Sequence, residues 1–494
     1  MGIVIKQSAY ASAISYIGVV IGAVNTIFLL PEFFSPEDLG LYKAVFSMAI
    51  LLSPFAQVGL ARSTLRYYPR FDNSPKTSGR FLGLILILGF FTISLFILLF
   101  QLVDDWVFAF FQQKAPELIR YYWLILVLAS IMVYISIFEA YYKALLNVVV
   151  PTLMKELMLR VVVGLLAILY FLDIISFEWF LNYTVISYVL SLFLLIAVLI
   201  IKKQIHLNLF IFQIDKAFIK ELLKYMFFIM AGAVGSAIVL QIDQLMVTGY
   251  LGLKENAVYV IAFFMATVIE IPKRAIAQMS DSIIAKSFEF ERMDEIKKIY
   301  KQSSINQLIL GSYVFLLIVM NLDNIYQIMP KGEIYEAGKW VVVLIGMGKI
   351  AEMGFGVNSE IIISSKLYKI NIGFVLLLAL LTIALNVLLI PTYGLIGSAI
   401  ASFAALFSFN LIKMIFIWNR FKFQPFSWST LSVLLIAAIT FISIYFVPQL
   451  ENPIINLLWI SLLLTLIFGA LILLFKPSQE IHKMLLHLKN KITP

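Results

Sequence analysis

Long apolar runs separated by short polar stretches dominate the hydrophobic pattern of the chain. A bilayer core of about 30 Å is crossed by about 20 helical residues, and runs of this length favour helices over the shorter alternating strands of a membrane barrel. Fourteen such runs occur, near residues 10–30, 41–61, 81–103, 118–140, 157–175, 179–201, 226–249, 256–277, 305–325, 338–363, 370–390, 394–417, 430–448 and 454–475. The pattern therefore predicts an all-α membrane protein with fourteen transmembrane helices.

The order of segments repeats once along the chain. In the stretch 242–286, Tyr259 aligns with Tyr42, and Pro272 meets Pro54 after one inserted residue. An internal repeat of this size predicts two similar halves related by a pseudo-twofold axis. The predicted division is a six-helix half over 1–203, a cytoplasmic linker over 204–225, a second six-helix half over 226–422, and two additional helices with a basic tail over 423–494.

Composition supports this picture and places the chain in a membrane. Hydrophobic residues make up 62% of the 494 residues and charged residues only 13%, too little polar surface for a water-soluble fold. Only seven of the 37 Lys and Arg residues fall outside the predicted cytoplasmic segments. By the positive-inside rule both termini are predicted to be cytoplasmic, and the net charge of +9 reflects this bias, with no nucleic-acid partner expected.

Several kinds of catalytic site find no support in the sequence. There is no cysteine, and the three histidines, His206, His482 and His487, lie in predicted cytoplasmic segments. No phosphate-binding Walker motif and no large outer loop is present. We therefore expect a transporter and not an enzyme, without a cofactor or metal; a coupling proton or sodium ion remains open.

Three arginines at the end of the second run are spaced for one helix face. Arg62, Arg66 and Arg70 are four residues apart. Arg70 fits a cytoplasmic anchor. Arg62 and Arg66 lie deeper, and their guanidinium groups could instead bind a phosphate in bidentate geometry.

The tenth run carries charges in a predicted membrane span. Lys349, Glu352, Gly356 and Glu360 are separated by three, four and four residues, which places them on one face of a continuous helix, with Asn358 close by. Charges in a span should face protein or water. The sequence allows either a structural Lys349–Glu352 pair or a cavity-lining role.

Two further polar positions fall in predicted spans. Asn25 ends a stripe of small and polar residues on the first helix, which suits either close helix packing or the wall of a water-filled cavity. Asp243, near the outer end of the seventh helix, is either a functional carboxylate or an interfacial one that caps a turn.

Three connecting segments have predictable structure. Asp215 can cap a helix that runs into the seventh span, and Leu209–Phe212 before it suit an amphipathic helix on the inner leaflet. The stretch from Phe288 to Ile299 suggests a second amphipathic connector. Residues 390–399, Ile-Pro-Thr-Tyr-Gly-Leu-Ile-Gly-Ser-Ala, predict a tight outer hairpin.

Four stretches of the chain resemble a known family. They are Pro31 to Tyr42, Gly59 to Pro69, Ile242 to Tyr259 and Ile390 to Ala399. In this order they are similar to the polysaccharide transporter branch of the multidrug/oligosaccharidyl-lipid/polysaccharide (MOP) exporter superfamily. The resemblance implies a MATE-like fold and a flippase of the Wzx type, which moves undecaprenyl-diphosphate-linked oligosaccharide units of O-antigen or capsule to the periplasmic leaflet by alternating access.

The resemblance also implies a site and its partners. A cationic cavity for the diphosphate would use Arg62, Arg66, Lys273, Arg274 and Lys349. The polar residues of the predicted spans, apart from the resemblance, give the candidates for ion coupling or the cavity wall: Asn25, Asp243, Glu270, Glu352, Asn358 and Glu360. We expect a monomer in the bacterial inner membrane whose partners are the lipid-linked oligosaccharide and the bilayer, with the polysaccharide polymerase and chain-length proteins as further candidates.

Other functions fit the same pattern less well. A cation-coupled multidrug or metabolite exporter of the same fold would need a predominantly acidic cavity. A membrane enzyme or an assembly scaffold for polysaccharide synthesis belongs to a different class, and would be distinguished by catalytic turnover of a glycolipid or by partner-dependent stability without transport.

Overall fold

Helices make up the secondary structure of this protein. The computed structural model describes residues 2–208 and 215–481, and this part of the chain contains no strand. The first twelve helices are α1 Gly2–Ala23, α2 Leu30–Phe33, α3 Pro36–Gln57, α4 Leu60–Tyr67, α5 Pro75–Phe100, α6 Asp104–Phe111, α7 Pro116–Arg120, α8 Tyr122–Ala144, α9 Val149–Thr152, α10 Leu159–Phe171, α11 Phe177–Ile201 and α12 Lys216–Leu251. The others are α13 Leu253–Thr267, α14 Ile271–Glu289, α15 Met293–Val319, α16 Leu322–Ile328, α17 Gly332–Tyr335, α18 Lys339–Gly354, α19 Asn358–Ser364, α20 Ile370–Phe421, α21 Trp428–Tyr445 and α22 Pro453–Phe475.

The predicted apolar runs coincide with helical structure. Within the described residues ten helical segments are long and apolar enough to cross a membrane, or eleven if the bent pair Gly332–Gly354 and Asn358–Ser364 is one span. Two predicted runs share α20, which breaks at Gly394 (φ 60°, ψ −137°). The predicted fifth and eighth runs fall on α9–α10 and α13–α14, which short π-helical and 3₁₀ segments interrupt. The all-helical membrane fold is confirmed, and fourteen spans are consistent with it.

Polar side chains mark the beginnings of several helices, one of them predicted from the sequence. The Ser35 hydroxyl accepts a hydrogen bond from the Asp38 backbone N–H at 3.0 Å, at the start of α3. The Asp215 carboxylate accepts one from the Ala217 N–H at 3.0 Å, so the predicted cap of α12 is confirmed. Such caps satisfy backbone donors that have no partner inside the helix. The predicted amphipathic segment Leu209–Phe212, and the tail from residue 482 with two of the three histidines, lie outside the described residues.

The second predicted connector helix is wrong. Phe288 belongs to the end of α14, and the chain turns at Glu291, where φ is 54°. Residues from Met293 onward form the first turns of α15, and Ile296 is fully buried. The alternating apolar and charged residues therefore belong to the last turn of α14 and the first turns of α15, and not to a separate helix on the membrane surface.

The chain forms two compact units, Met1–Ala257 and Val258–Pro494. In the first unit α12 packs along α3, where the Ser47 hydroxyl donates to the Gln244 side-chain oxygen at 2.8 Å. The Asn256 side chain donates to the backbone oxygen of Gly40 at 2.9 Å. Any side chain at Gly40 would collide with the Leu253 backbone, so glycine permits this close approach.

The second unit contains the last two helices as part of its core. Side chains of α21 and α22, among them Ile436 and Leu464, bury themselves against Leu308 and Leu316 of α15. Polar contacts reinforce this packing, because the Asn456 amide donates to the Asn324 side-chain oxygen at 2.9 Å. The appended helices are thus firmly attached to the unit that also carries the charged residues described next.

Candidate functional site

A break in the tenth predicted helix determines where its charges lie. Helix α18 ends at Gly354 and α19 begins at Asn358, and the segments on either side are bent by 49°. Gly356 between them has a φ of 63°, and a β-carbon there would lie 3.1 Å from Ser304, so glycine is favoured on both grounds. The prediction of one continuous face is therefore wrong: Lys349 and Glu352 are on α18, whereas Asn358 and Glu360 are on α19.

Five charged side chains of the second unit form what we call the ionic network. Its members are Lys273, Arg274, Lys349, Glu270 and Glu352. The Lys273 Nζ lies 2.6 Å from the Glu352 Oε1, and the Lys349 Nζ lies 2.5 Å from the Glu270 Oε2. Two longer contacts complete it, from Lys349 to Glu352 at 3.9 Å and from Arg274 to Glu270 at 3.6 Å. All five residues that the sequence singled out around Lys273 and Lys349 are thus brought together.

Most of the network is shielded from solvent. The side chains of Lys349, Glu352, Glu270 and Lys273 are 14%, 18%, 20% and 20% exposed, whereas that of Arg274 is 69% exposed. Charges within a membrane span cost a few kcal/mol unless they face protein or water. The predicted Lys349–Glu352 pair exists, but the shorter contacts cross from α18 to the 3₁₀ segment and α14. The network therefore joins neighbouring elements as well as compensating its own charges.

A second polar group lies where α19 meets α20. The Asn358 amide donates to the Asn410 side-chain oxygen at 2.9 Å. One turn further on, the Lys413 ammonium donates to the Ser359 hydroxyl at 2.8 Å. Lys413 was not selected from the sequence, although a lysine inside the apolar run 394–417 could have indicated a functional position. Lys413 is buried, and it lies one turn from Asn410 on α20.

The arginines of α4 belong to the first unit. Arg62 and Arg66 are exposed, and the Arg66 guanidinium lies 4.3 Å from the centre of the Tyr225 ring. Arg70 instead forms an ion pair with Glu221 at 3.3 Å, and Glu221 also accepts a hydrogen bond from the Tyr67 hydroxyl at 3.0 Å. The guanidinium of Arg70 is therefore engaged with protein, in keeping with an anchoring role, while Arg66 is oriented by an aromatic ring.

The two remaining candidates, Asn25 and Asp243, are buried in the first unit. The Asn25 amide donates to the backbone oxygen of Arg160 at 2.7 Å, from a π-helical segment that follows α1. On the same side of α1, Gly18 accepts a hydrogen bond from the Arg160 guanidinium at 2.5 Å. These contacts favour close helix packing for the stripe of small residues. Asp243 lies in α12 and is 7% exposed.

Metal binding has no structural support in the described chain. Over residues 2–208 and 215–481, no group of three or more His, Cys, Asp or Glu side chains is placed to hold a metal ion.

No protein-family model and no curated protein matches the sequence. Solved structures with the same fold do exist. A lipid II flippase, MurJ, in an inward closed conformation matches with a TM-score of 0.76 at 14% identity, over 95% of this chain and 99% of that chain. An inward-facing multidrug resistance MATE family transporter of the MOP superfamily matches with a TM-score of 0.66 at 14% identity, over 82% and 94% of the two chains.

A MOP superfamily transporter from Pyrococcus furiosus gives a TM-score of 0.54 at 12% identity, over 85% of this chain and 95% of that chain. These similar structures are transporters and flippases. At such low identities the likeness concerns the fold, and it agrees with the MATE-like architecture that the sequence predicts. The chain is therefore a multi-pass membrane protein with the fold that MurJ shares with the MATE transporters.

Proposed function

We propose that this protein is a flippase for undecaprenyl-diphosphate-linked oligosaccharides. It would move repeat units of O-antigen, capsule or exopolysaccharide from the cytoplasmic to the periplasmic leaflet of a bacterial inner membrane by alternating access. Both termini would be cytoplasmic, as the distribution of basic residues predicts. The sugars would cross through a hydrated path while the polyprenyl tail stays in lipid.

The observation that carries this proposal is the extent of the match to a lipid-linked flippase. The lipid II flippase covers 95% of this chain and is itself covered over 99% of its length. The MATE family transporter of the MOP superfamily covers 82% of this chain. The match to the lipid II flippase thus extends over more of this chain than the match to the multidrug resistance transporter does.

The charges of the candidate site support an anionic substrate. The ionic network contains three cations, Lys273, Arg274 and Lys349, against the two carboxylates of Glu270 and Glu352. A surplus of positive charge favours a diphosphate over an organic cation. On α4 of the first unit, the exposed guanidinium groups of Arg62 and Arg66 offer further phosphate-binding groups.

A cation-coupled exporter of the same fold is the second candidate. The observation in its favour is the match to a multidrug resistance transporter, together with the shielded carboxylates of Glu270 and Glu352, which could exchange a proton or a sodium ion. Expression in a drug-sensitive host separates the two candidates. Resistance to cationic drugs, without movement of lipid-linked sugars, would favour the exporter.

The deciding experiment is transport in reconstituted vesicles. Purified full-length protein would be incorporated with labelled undecaprenyl-diphosphate oligosaccharide, and arrival of label in the opposite leaflet would be followed. Replacing both Arg62 and Arg66 by alanine should slow transport by about tenfold or more, because each lost charge-assisted contact weakens phosphate binding.

A matched control replaces two exposed arginines of the second unit, Arg292 and Arg420, which lie outside the proposed site. This double variant should transport at the rate of the unmodified protein. Equal rates for both double variants would remove the proposed role of the α4 arginines, and absence of transport by the unmodified protein would contradict the flippase.

A further inference from the structure

Lys413 is a buried lysine of the second unit. It lies in α20 and is only 2% exposed. Its ammonium donates to the Ser359 hydroxyl at 2.8 Å and lies 3.9 Å from the centre of the Phe409 ring. Across residues 2–208 and 215–481, no carboxylate oxygen lies within 4.0 Å of this ammonium. One hydroxyl and one aromatic face thus contact this ammonium inside the second unit.

Two carboxylates attract this charge from farther away. They are Glu352, which belongs to the ionic network, and Glu360 of α19. Glu352 is itself in contact with Lys273 at 2.6 Å. A shielded ammonium is stabilised most by direct pairing with a carboxylate. Direct contact with a carboxylate that has lost its own partner would therefore stabilise the Lys413 ammonium.

Binding of a diphosphate would release a carboxylate from its present lysine partner. If phosphate oxygens bind the Lys273 ammonium, they displace the Glu352 carboxylate that pairs with it in this structure. The displaced carboxylate would then be shielded from water and short of one of its two lysine partners. Leaving a buried charge without its partner is strongly unfavourable. Glu352 would keep the 3.9 Å contact to Lys349, but that lysine is itself paired with Glu270 at 2.5 Å. Substrate binding at Lys273 is therefore favoured by a second cation that can replace Lys273 beside Glu352.

We propose, building on the proposed flippase function, that Lys413 is this second cation and that Glu352 exchanges partners. Without substrate Glu352 pairs with Lys273, and with a diphosphate on Lys273 it pairs with Lys413. Lys413 then acts as a positioning residue: it does not contact the substrate, but it holds the carboxylate that would otherwise compete with it.

The local structure suits such an exchange. Glu352 and Ser359 lie on opposite sides of the break at Gly356, so a small change in the bend alters the distance between the carboxylate and the hydroxyl that holds Lys413. A lysine side chain has a flexible four-carbon stem, so its ammonium can move without displacement of α20. The hydrogen bond to Ser359 and the contact with the Phe409 ring have to be given up.

The test measures binding of undecaprenyl diphosphate to purified full-length protein in detergent by titration calorimetry. Lys413→Gln should weaken binding by about tenfold, because Glu352 then remains on Lys273. Lys413→Arg keeps the charge and should bind within about threefold of the unmodified protein. The combination of Lys413→Gln with Glu352→Gln should return binding to within about threefold of the unmodified protein, since a neutral amide no longer competes.

A second variant covers the case in which Lys413→Gln does not fold. Ser359→Asp places a permanent carboxylate beside Lys413, so the ammonium stays paired and is no longer free for Glu352. It should also weaken binding by about tenfold. A role of Lys413 in packing alone predicts no rescue by Glu352→Gln and no loss in Ser359→Asp.

The outcomes separate the two proposals. If the unmodified protein does not bind undecaprenyl diphosphate, the proposed function is wrong and the exchange falls with it. If it binds, but the double variant is as weak as Lys413→Gln, only the exchange is wrong. Unchanged binding in Lys413→Gln, or in Ser359→Asp where the first variant does not fold, overturns the exchange in the same way.

Discussion

At the scale of single residues, the candidate site depends on pairs that join different helices. The sequence predicted Lys349 and Glu352 as neighbours because three residues separate them on one helix. Their shorter contacts, to Glu270 and Lys273, connect positions about 80 residues apart, which helical periodicity cannot reveal. Single residues could therefore be named as candidates from the sequence, but not matched with their partners.

The shielded Lys349–Glu270 pair leads to a prediction about stability. Lys349→Met should lower the free energy of unfolding by about 2–4 kcal/mol, because it leaves the Glu270 carboxylate, among the residues that the structure describes, with only the longer contact to Arg274. Adding Glu270→Leu should recover most of this loss, since neither side chain then carries an uncompensated charge. Denaturant titration in detergent, followed by tryptophan fluorescence, measures both variants.

The exposed pair of Arg292 and Glu295, 3.8 Å apart, is the control. Arg292→Met should change the free energy of unfolding by about 1 kcal/mol or less, as is usual for surface pairs. If the double variant of Lys349 and Glu270 were less stable than Lys349→Met alone, the charge argument would be wrong.

At the scale of elements, the breaks in the helices decide where the polar groups are placed. The break between α20's two halves was predictable, because Pro391 and Gly394 together indicate a turn. The break at Gly356 was not, because a single glycine is tolerated inside many helices. What favours the break is its packing against Ser304, 52 positions away in the sequence, so the bend depends on tertiary contacts.

The backbone at Gly356 allows a direct test. Gly356→Ala should destabilise the protein by about 1–2 kcal/mol or more, because alanine at φ 63° is strained and its β-carbon crowds Ser304. Gly373→Ala in α20 is the matched control: it has no neighbour within 4 Å, and helix propensity predicts a gain of up to about 1 kcal/mol. Thermal unfolding in detergent compares the two, and equal effects would contradict the proposed strain.

At the scale of the whole molecule, the apolar runs are what made the fold predictable from the sequence. Each run is a local signal, and a membrane converts it into a helix almost without reference to the rest of the chain. The two prolines that align in the sequence repeat occupy different positions in their helices. Pro54 lies inside α3, whereas Pro272 lies in the first turn of α14. The charged residues that follow the two prolines are not the same in the two halves. The overall architecture was therefore predictable, and the connections between charged residues were not.

The absence of cysteine makes the membrane topology easy to test. Gln112 and Asn73 are both exposed, and the predicted topology places Gln112 outside and Asn73 in the cytoplasm. In intact cells an impermeant maleimide should label Gln112→Cys, and it should label Asn73→Cys only after permeabilisation. The opposite labelling pattern would mean that the termini are outside, and the cysteine-free parent protein gives the background.

The ionic network has one more consequence, which follows from its connectivity. Its contacts run from Lys273 through Glu352, Lys349 and Glu270 to Arg274, and the circuit closes because Lys273 and Arg274 are adjacent in α14. Signs cannot alternate all the way around a ring with an odd number of members. One pair of neighbours must be alike, and here it is the two cations. The positive potential of the ring is therefore concentrated at Lys273 and Arg274, where the exposed guanidinium meets the solvent.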